Sequence, residues 1–321
     1  MNQENKFSKF FHSAGAQKFF AFGTLILLMI FFSVASPYFF TPSNLVSILL
    51  STCVNGVLAI GVTFIIVTGG IDLSIGTTMT FASVVGGITA VNLGFPLPLA
   101  VLVCVLTGAL VGLISGTLVS RLKIPPFIAT LGMMMVTKGL SLVLSGAKPV
   151  YYPDGWNKIA LGNIIPGIPN AVLIFVAAAI LATFLLNKTL LGRYDFAIGS
   201  NEEATRLSGV NVKKWLTIIY IVAGAFCGVA GMLMSSRLGS AQPALGQGYE
   251  LEAIAAVVIG GTSLSGGSGT ILGTVIGAFI MSVLTSGLKI MAVPQEWQTV
   301  VIGGVVILAV YIDILRKRKQ A

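Results

Sequence analysis

Charge is the scarcest thing in this chain. Only 9% of its 321 residues are charged, 55% are hydrophobic, and the mean hydropathy is +0.97. A soluble domain carries about a quarter charged residues, so the composition excludes a globular soluble protein and identifies an integral membrane protein. The alternating strands of an outer-membrane barrel are also missing. The one histidine, His12, leaves no basis for histidine catalysis or a histidine metal site. Cys53, Cys104 and Cys227 each lie in an apolar run without metal-ligand spacing and read as buried, inert thiols. The glycine-rich run 260–269 lacks the Gly-Lys-Ser/Thr ending of a phosphate loop, so this chain is not expected to hydrolyse ATP. Nor is there the array of intramembrane carboxylates that an ion-coupled pump uses. Net charge is +9, yet no basic run is interleaved with aromatics, which argues against a nucleic-acid partner. Nothing in the pattern asks for a cofactor or a catalytic residue.

What is present is apolar length. A helix needs roughly 20 apolar residues to span a bilayer, and runs of that kind recur near 19–35, 45–68, 77–93, 99–120, 127–144, 171–186, 216–235, 251–259, 271–290 and 300–314. The fold expected is therefore all-α: a polytopic bundle of about ten transmembrane helices. Lys6, Lys9 and Lys18 precede the first run without a small-residue cleavage site soon after it, so that run reads as a retained span. With ends N-in and C-in, those lysines fall inside. So do Arg121, Lys123, the cluster from Lys188 to Lys214, and the tail Arg316 to Lys319. Lys148, Lys158, Arg237 and Lys289 fall outside, and Lys138 lies within a span, so the positive-inside rule supports even parity. The chain divides into a cytoplasmic tail (1–18), one transmembrane domain (19–314) with a cytoplasmic loop at about 187–215, and a basic cytoplasmic tail (315–321).

That loop is the one long polar interruption with a legible design. Ser200 or Asn201 can cap a very short helix in which Glu202 and Glu203 favour the positive end of the dipole. Glu202 and Arg206 stand four apart and can pair, and Gly209 is a natural stop. Ala204 and Leu207 form its small apolar face. Two turns are marginal alone in water, so something must hold this helix. Elsewhere, Gly69-Gly70-Ile71-Asp72-Leu73-Ser74-Ile75-Gly76 is echoed by Gly260-Gly261-Thr262-Ser263-Leu264-Ser265-Gly266-Gly267. Paired glycine-interrupted segments of this kind mark broken helices in transporters, or else two similar turns. The rows Gly108, Gly112, Gly116 and Gly224, Gly228, Gly231 suit close helix packing.

Polar groups inside spans need a reason, because a mid-bilayer charge costs about 2.5–3.5 kcal/mol. Ser51, Thr52 and Asn55 repeat near helical spacing along the second span and suit passage of a neutral polyol. Asp72, with Ser74, is either a turn and N-cap or part of a polar pathway. Lys138, about seven residues from the outer end of its span, reads as a lysine that snorkels or pairs across the bundle. Arg237, Glu250 and Glu252 form either a solvated rim or a docking surface for an external protein.

Four passages occur in order: Gly70 to Gly76, Phe127-Ile128-Ala129-Thr130-Leu131-Gly132, Gly192-Arg193 with Asn201 to Val210, and Tyr249 to Leu264. Together they closely resemble the membrane-spanning permease of bacterial ribose-type sugar ABC importers, a group related to branched-chain amino-acid permeases. The resemblance runs from about Pro37 to Asp313. It implies a non-enzymatic permease in the bacterial cytoplasmic membrane, working as a homodimer or pseudo-dimer. Such a permease takes a monosaccharide, best matched to D-ribose, from a periplasmic or lipid-anchored binding protein. It also implies that the polar loop, with Arg193, Glu202, Glu203, Ala204, Arg206, Leu207 and Gly209, docks on a separate ATPase subunit. Another pentose, a hexose, a signalling sugar or a stand-alone secondary transporter are the alternatives.

Overall fold

The computed structural model describes residues 14–318; residues 1–13 and 319–321, with Lys6, Lys9, His12 and Lys319, lie outside the described residues. In chain order the helices are α1 (Ala14–Ala35), α2 (Pro42–Val67), α3 (Ile75–Val91), α4 (Leu97–Ser120), α5 (Pro126–Ser145), α6 (Lys158–Leu161) and α7 (Asn170–Lys188). They continue with α8 (Leu190–Ser200), α9 (Glu202–Leu207), α10 (Val212–Leu238), α11 (Tyr249–Ile259), α12 (Ile271–Ile290) and α13 (Gln295–Arg318). The named strands, β1 (Val150–Tyr151) and β2 (Ser240–Ala241), form one small antiparallel pair.

Among the described residues, seven helices (α2, α4, α5, α7, α10, α12 and α13) are long and apolar enough to cross a membrane. The apolar stretches Phe19–Ala35 and Ile75–Val91 are shorter, and α11 has only 11 residues. A count of about ten therefore depends on including three short helices. The glycine-rich segment 69–74 separates α2 from α3, and 260–270 separates α11 from α12, as expected for interrupted spans.

The bundle is built around α2. From Thr52 to Val67 every residue is buried, which is how a helix that is apolar all round must sit. α10 packs against it and, most extensively, against α4. The α4–α10 seam is made of glycine. A Cβ added at Gly108 would run into the carbonyl of Gly224, and one at Gly224 into the carbonyl of Gly108. Gly112 and Gly116 meet Tyr220 and Thr217 in the same way, so the small-residue rows do what their spacing predicts. All three cysteines are free and buried, as expected.

The polar segment after α5 caps the end of the bundle away from the 187–215 loop. Tyr152 stacks on Trp156 with ring centroids 4.0 Å apart. Its hydroxyl donates to the Ser83 carbonyl (2.6 Å), and the Trp156 indole donates to Ser235 (3.2 Å). We call this the far end and the opposite one the loop end.

The 187–215 loop differs from a polar connector holding one small helix. It contains two helices, α8 and α9, and α10 already begins at Val212, where the Asn211 side chain accepts the Lys214 amide at 3.1 Å. Leu191 and Ile198 of α8 are buried, so α8 turns one face into the core.

Candidate functional site

At the loop end, α9 is the helix the sequence anticipated. Asn201 caps it, its Oδ1 accepting the Ala204 amide at 2.9 Å, and Gly209 stops it with φ +85°. The salt bridge differs from expectation: Arg206 pairs with Glu203, three residues back, not with Glu202. In a six-residue helix both spacings share a face. Ala204 and Leu207 do point outward, and Leu207 is 77% exposed. Arg193, on α8, is also exposed. This is an apolar knob in a charged surround with no partner inside the bundle.

Behind α9, α8 is fused to the core through backbone. A Cβ at Gly199 would collide with the Val67 carbonyl and press on the Gly267 amide, and that amide donates to the same Val67 carbonyl at 2.9 Å. Gly266 (φ +81°) lies against the Gly69 amide, so the two echoing glycine segments meet each other here. Three distant parts of the chain thus converge where no side chain fits. A cavity of about 490 Å³ beside this junction is lined by Gly69, Gly70, Lys123, Glu202, Arg206 and Tyr220, among others. Asp195, one turn before Gly199, is fully buried, and neither carboxyl oxygen has a hydrogen-bond partner. Burial alone pushes its pKa well above the ordinary carboxylate range.

At the far end the structure merges two sets of residues that the sequence kept apart. Asn55 on α2 donates to the Glu252 carboxylate of α11 at 2.6 Å, and Arg237 of α10 donates to Ser51 of α2 at 3.0 Å. With Tyr249, Thr285 and Lys289 they enclose a small polar cavity of about 70 Å³. The remaining candidates lie elsewhere. Thr52 is buried and donates to the Ile48 carbonyl. Asp72 is buried, and its carboxylate accepts both the amide and the hydroxyl of Ser74 (2.7 and 2.6 Å), closing a turn at the start of α3. Glu250 is buried against Gly76 and accepts the Gly248 amide. Thr285 and Lys289, four apart on α12, complete the cluster and were missed. A polar pair at helical spacing inside an apolar span was the available signal.

Residues 44–310 match the family described as branched-chain amino acid transport system / permease component. The chain belongs to this permease family. The ribose import permease protein RbsC of Escherichia coli (strain K12) is 41% identical over 294 residues, covering 90% of this chain and 91% of that protein. RbsC of Bacillus subtilis (strain 168) is 41% identical over 300 residues, 92% of each. The fructose import permease protein FrcC of Rhizobium meliloti is 38% identical over 301 residues, covering 90% of this chain and 83% of that protein. No solved structure matches. As a member of this family, the chain is a multi-pass membrane permease. The polar cluster at one end of its bundle and the exposed α9 knob at the other are therefore two ends of a transport protein.

Proposed function

We propose that this chain is the permease of an ATP-binding-cassette importer that carries a monosaccharide, with D-ribose the first choice, across the bacterial inner membrane. Similarity above 40% to two ribose import permeases over nine-tenths of the chain carries the choice of sugar. A fructose permease at 38% makes a ketohexose the second. The permease has about ten spans when the three short helices are included. Both ends are cytoplasmic, with tails 1–18 and 315–321 flanking a single domain, 19–314. That topology puts the loop end in the cytoplasm, where α9 docks on a separate ATPase subunit through Leu207 and Ala204. Arg193, Glu202, Glu203, Arg206 and Gly209 surround and shape that contact.

The far end then receives sugar from a periplasmic or lipid-anchored binding protein near Arg237, Glu250 and Glu252. Ser51, Thr52, Asn55, Asp72 and Ser74 mark the route inward, with neutral hydroxyls and amides that suit a polyol. The permease itself performs no catalysis and works as a pair, either a homodimer or a pseudo-dimer.

Reconstitution of the chain with its ATPase and binding protein tests the reading. Glu203→Arg combined with Leu207→Asp is expected to cut ATP-driven ribose uptake at least tenfold while ATP hydrolysis continues and the permease stays inserted. Unchanged uptake would return the loop to a solvated connector. Uptake by the chain alone would sink the importer reading.

A further inference from the structure

Lys138 lies within α5, seven residues or about 10 Å from the far end of that helix. It does not reach back toward that end. Its ammonium donates to Gln247 Oε1 at 2.8 Å. The depth of this pair is fixed by neighbours: Thr137 donates to Thr77 on the first turn of α3, and Gly246 packs on Gly76. The irregular segment 242–248 therefore dips to the level where α3 begins. Along it Ala244, Gln247 and Gly248 are exposed, as are Leu131, Met135 and Gly139 on the adjoining face of α5.

Exposed non-helical backbone cannot face lipid tails. It persists at membrane depth only inside protein or along a water-filled cavity. A half-exposed lysine beside it carries the same restriction. The lysine decides between the two for water, since among the described residues no carboxylate pairs with it; in the paired permease proposed above, on which this inference rests, that water is the transport route.

The lysine is also uncompensated. The one ion pair among the described residues is Arg206–Glu203, at the loop end. Glu250, the carboxylate nearest to Gln247 along the chain, is buried against Gly76 and occupied by the Gly248 amide. Glu252 is held by Asn55. A fixed positive charge in a narrow aqueous route raises the energy of any cation passing it and leaves a neutral solute unaffected.

We infer that Lys138, positioned by Gln247, is a cation-exclusion filter in the translocation route, allowing a neutral sugar to pass without leak of monovalent cations. A pair of permeases would place two such ammonium groups around one route.

The test uses the complete importer in proteoliposomes, scoring Rb⁺ entry per ribose imported during ATP turnover. Wild-type vesicles that import no monosaccharide would overturn the permease reading itself, and this arm is scored first. Lys138→Gln is expected to raise the Rb⁺-to-ribose ratio at least about fivefold, and Lys138→Arg to keep it at the wild-type level. Lys138→Cys provides a second arm, because the three native cysteines are buried. A methanethiosulfonate carrying an ammonium, which forms a mixed disulfide and releases methanesulfinate, should restore exclusion. The uncharged methyl analogue should not. Equal ratios in Lys138→Gln and wild type, or a Lys138→Cys thiol that no aqueous reagent reaches, would overturn the filter.

Discussion

The two ends of the bundle are held together by different kinds of bond. At the loop end, α8, the end of α2 and the 260–267 segment touch through peptide groups, at Gly199, Val67 and Gly267. At the far end, α2, α10 and α11 are joined through side chains: Ser51 to Arg237 and Asn55 to Glu252. Backbone contacts without a Cβ have no rotamers to exchange, so α8 cannot shift without carrying its neighbours. Side-chain hydrogen bonds can be traded for others with little movement of the helices. The loop end is thus built to move as a block and the far end to rewire. This is the division expected of a transporter driven from one side and loaded from the other.

The contrast breaks most sharply at Gly199. Gly199→Ala places a methyl against the Val67 carbonyl and is expected to reduce ATP-driven uptake at least tenfold. Gly23→Ala, where nothing lies within 4 Å, should leave uptake unchanged. If both variants transport equally, the loop end is no more rigid than the rest.

The far end should yield a smaller, graded effect. Glu252→Ala strips Asn55 of its one partner, and Asn55 Oδ1 already has none. An unmet buried polar group costs about 1–3 kcal/mol, so uptake should fall about tenfold. Glu252→Gln, which keeps an acceptor, should lose less than half of that on a logarithmic scale. Equal losses would mean that charge, not hydrogen bonding, joins this end.

The smallest effect is one of stability. Asp195 has a folded-state pKa raised by burial, so its stabilising protonated form is fully populated below the unfolded pKa. That contribution is lost as pH rises through the folded value. Asp195→Asn does not titrate. Its melting temperature in detergent should exceed that of wild type by about 1–3 °C near neutrality. The difference should grow with rising pH and shrink toward pH 4. A constant or inverse difference would show that the carboxyl finds a partner in solution.

Much of the loop end was readable because its signals are local. An asparagine before two glutamates, a glycine seven residues beyond the first of them, and small residues every fourth position each act within a turn or two. Asp195 was hidden for a related reason. In a stretch rich in charge it passes for solvated, although it stands four residues from Leu191 and three from Ile198, both buried. The far-end cluster could not be read at all as one site. Asn55 and Glu252 are 197 residues apart, and nothing near either one names the other. Lys138 was conspicuous as a charge in a span, but its partner Gln247 is 109 residues away, in a segment whose Pro243, Gly246 and Gly248 mark a break in the helix without giving its depth.

The meeting of Val67, Gly199 and Gly267 also sets an order of assembly. During synthesis the end of α2 emerges first, α8 more than a hundred residues later, and the Gly267 amide later still. Chains are made and begin to fold from the N-terminus. Until residue 267 has left the ribosome, the Val67 carbonyl lacks its donor and Gly199 has only half its seat. The junction that locks the loop end is therefore among the last contacts to close. A chain stopped before residue 267 would retain most of its spans but only the Gly199–Val67 half of this junction.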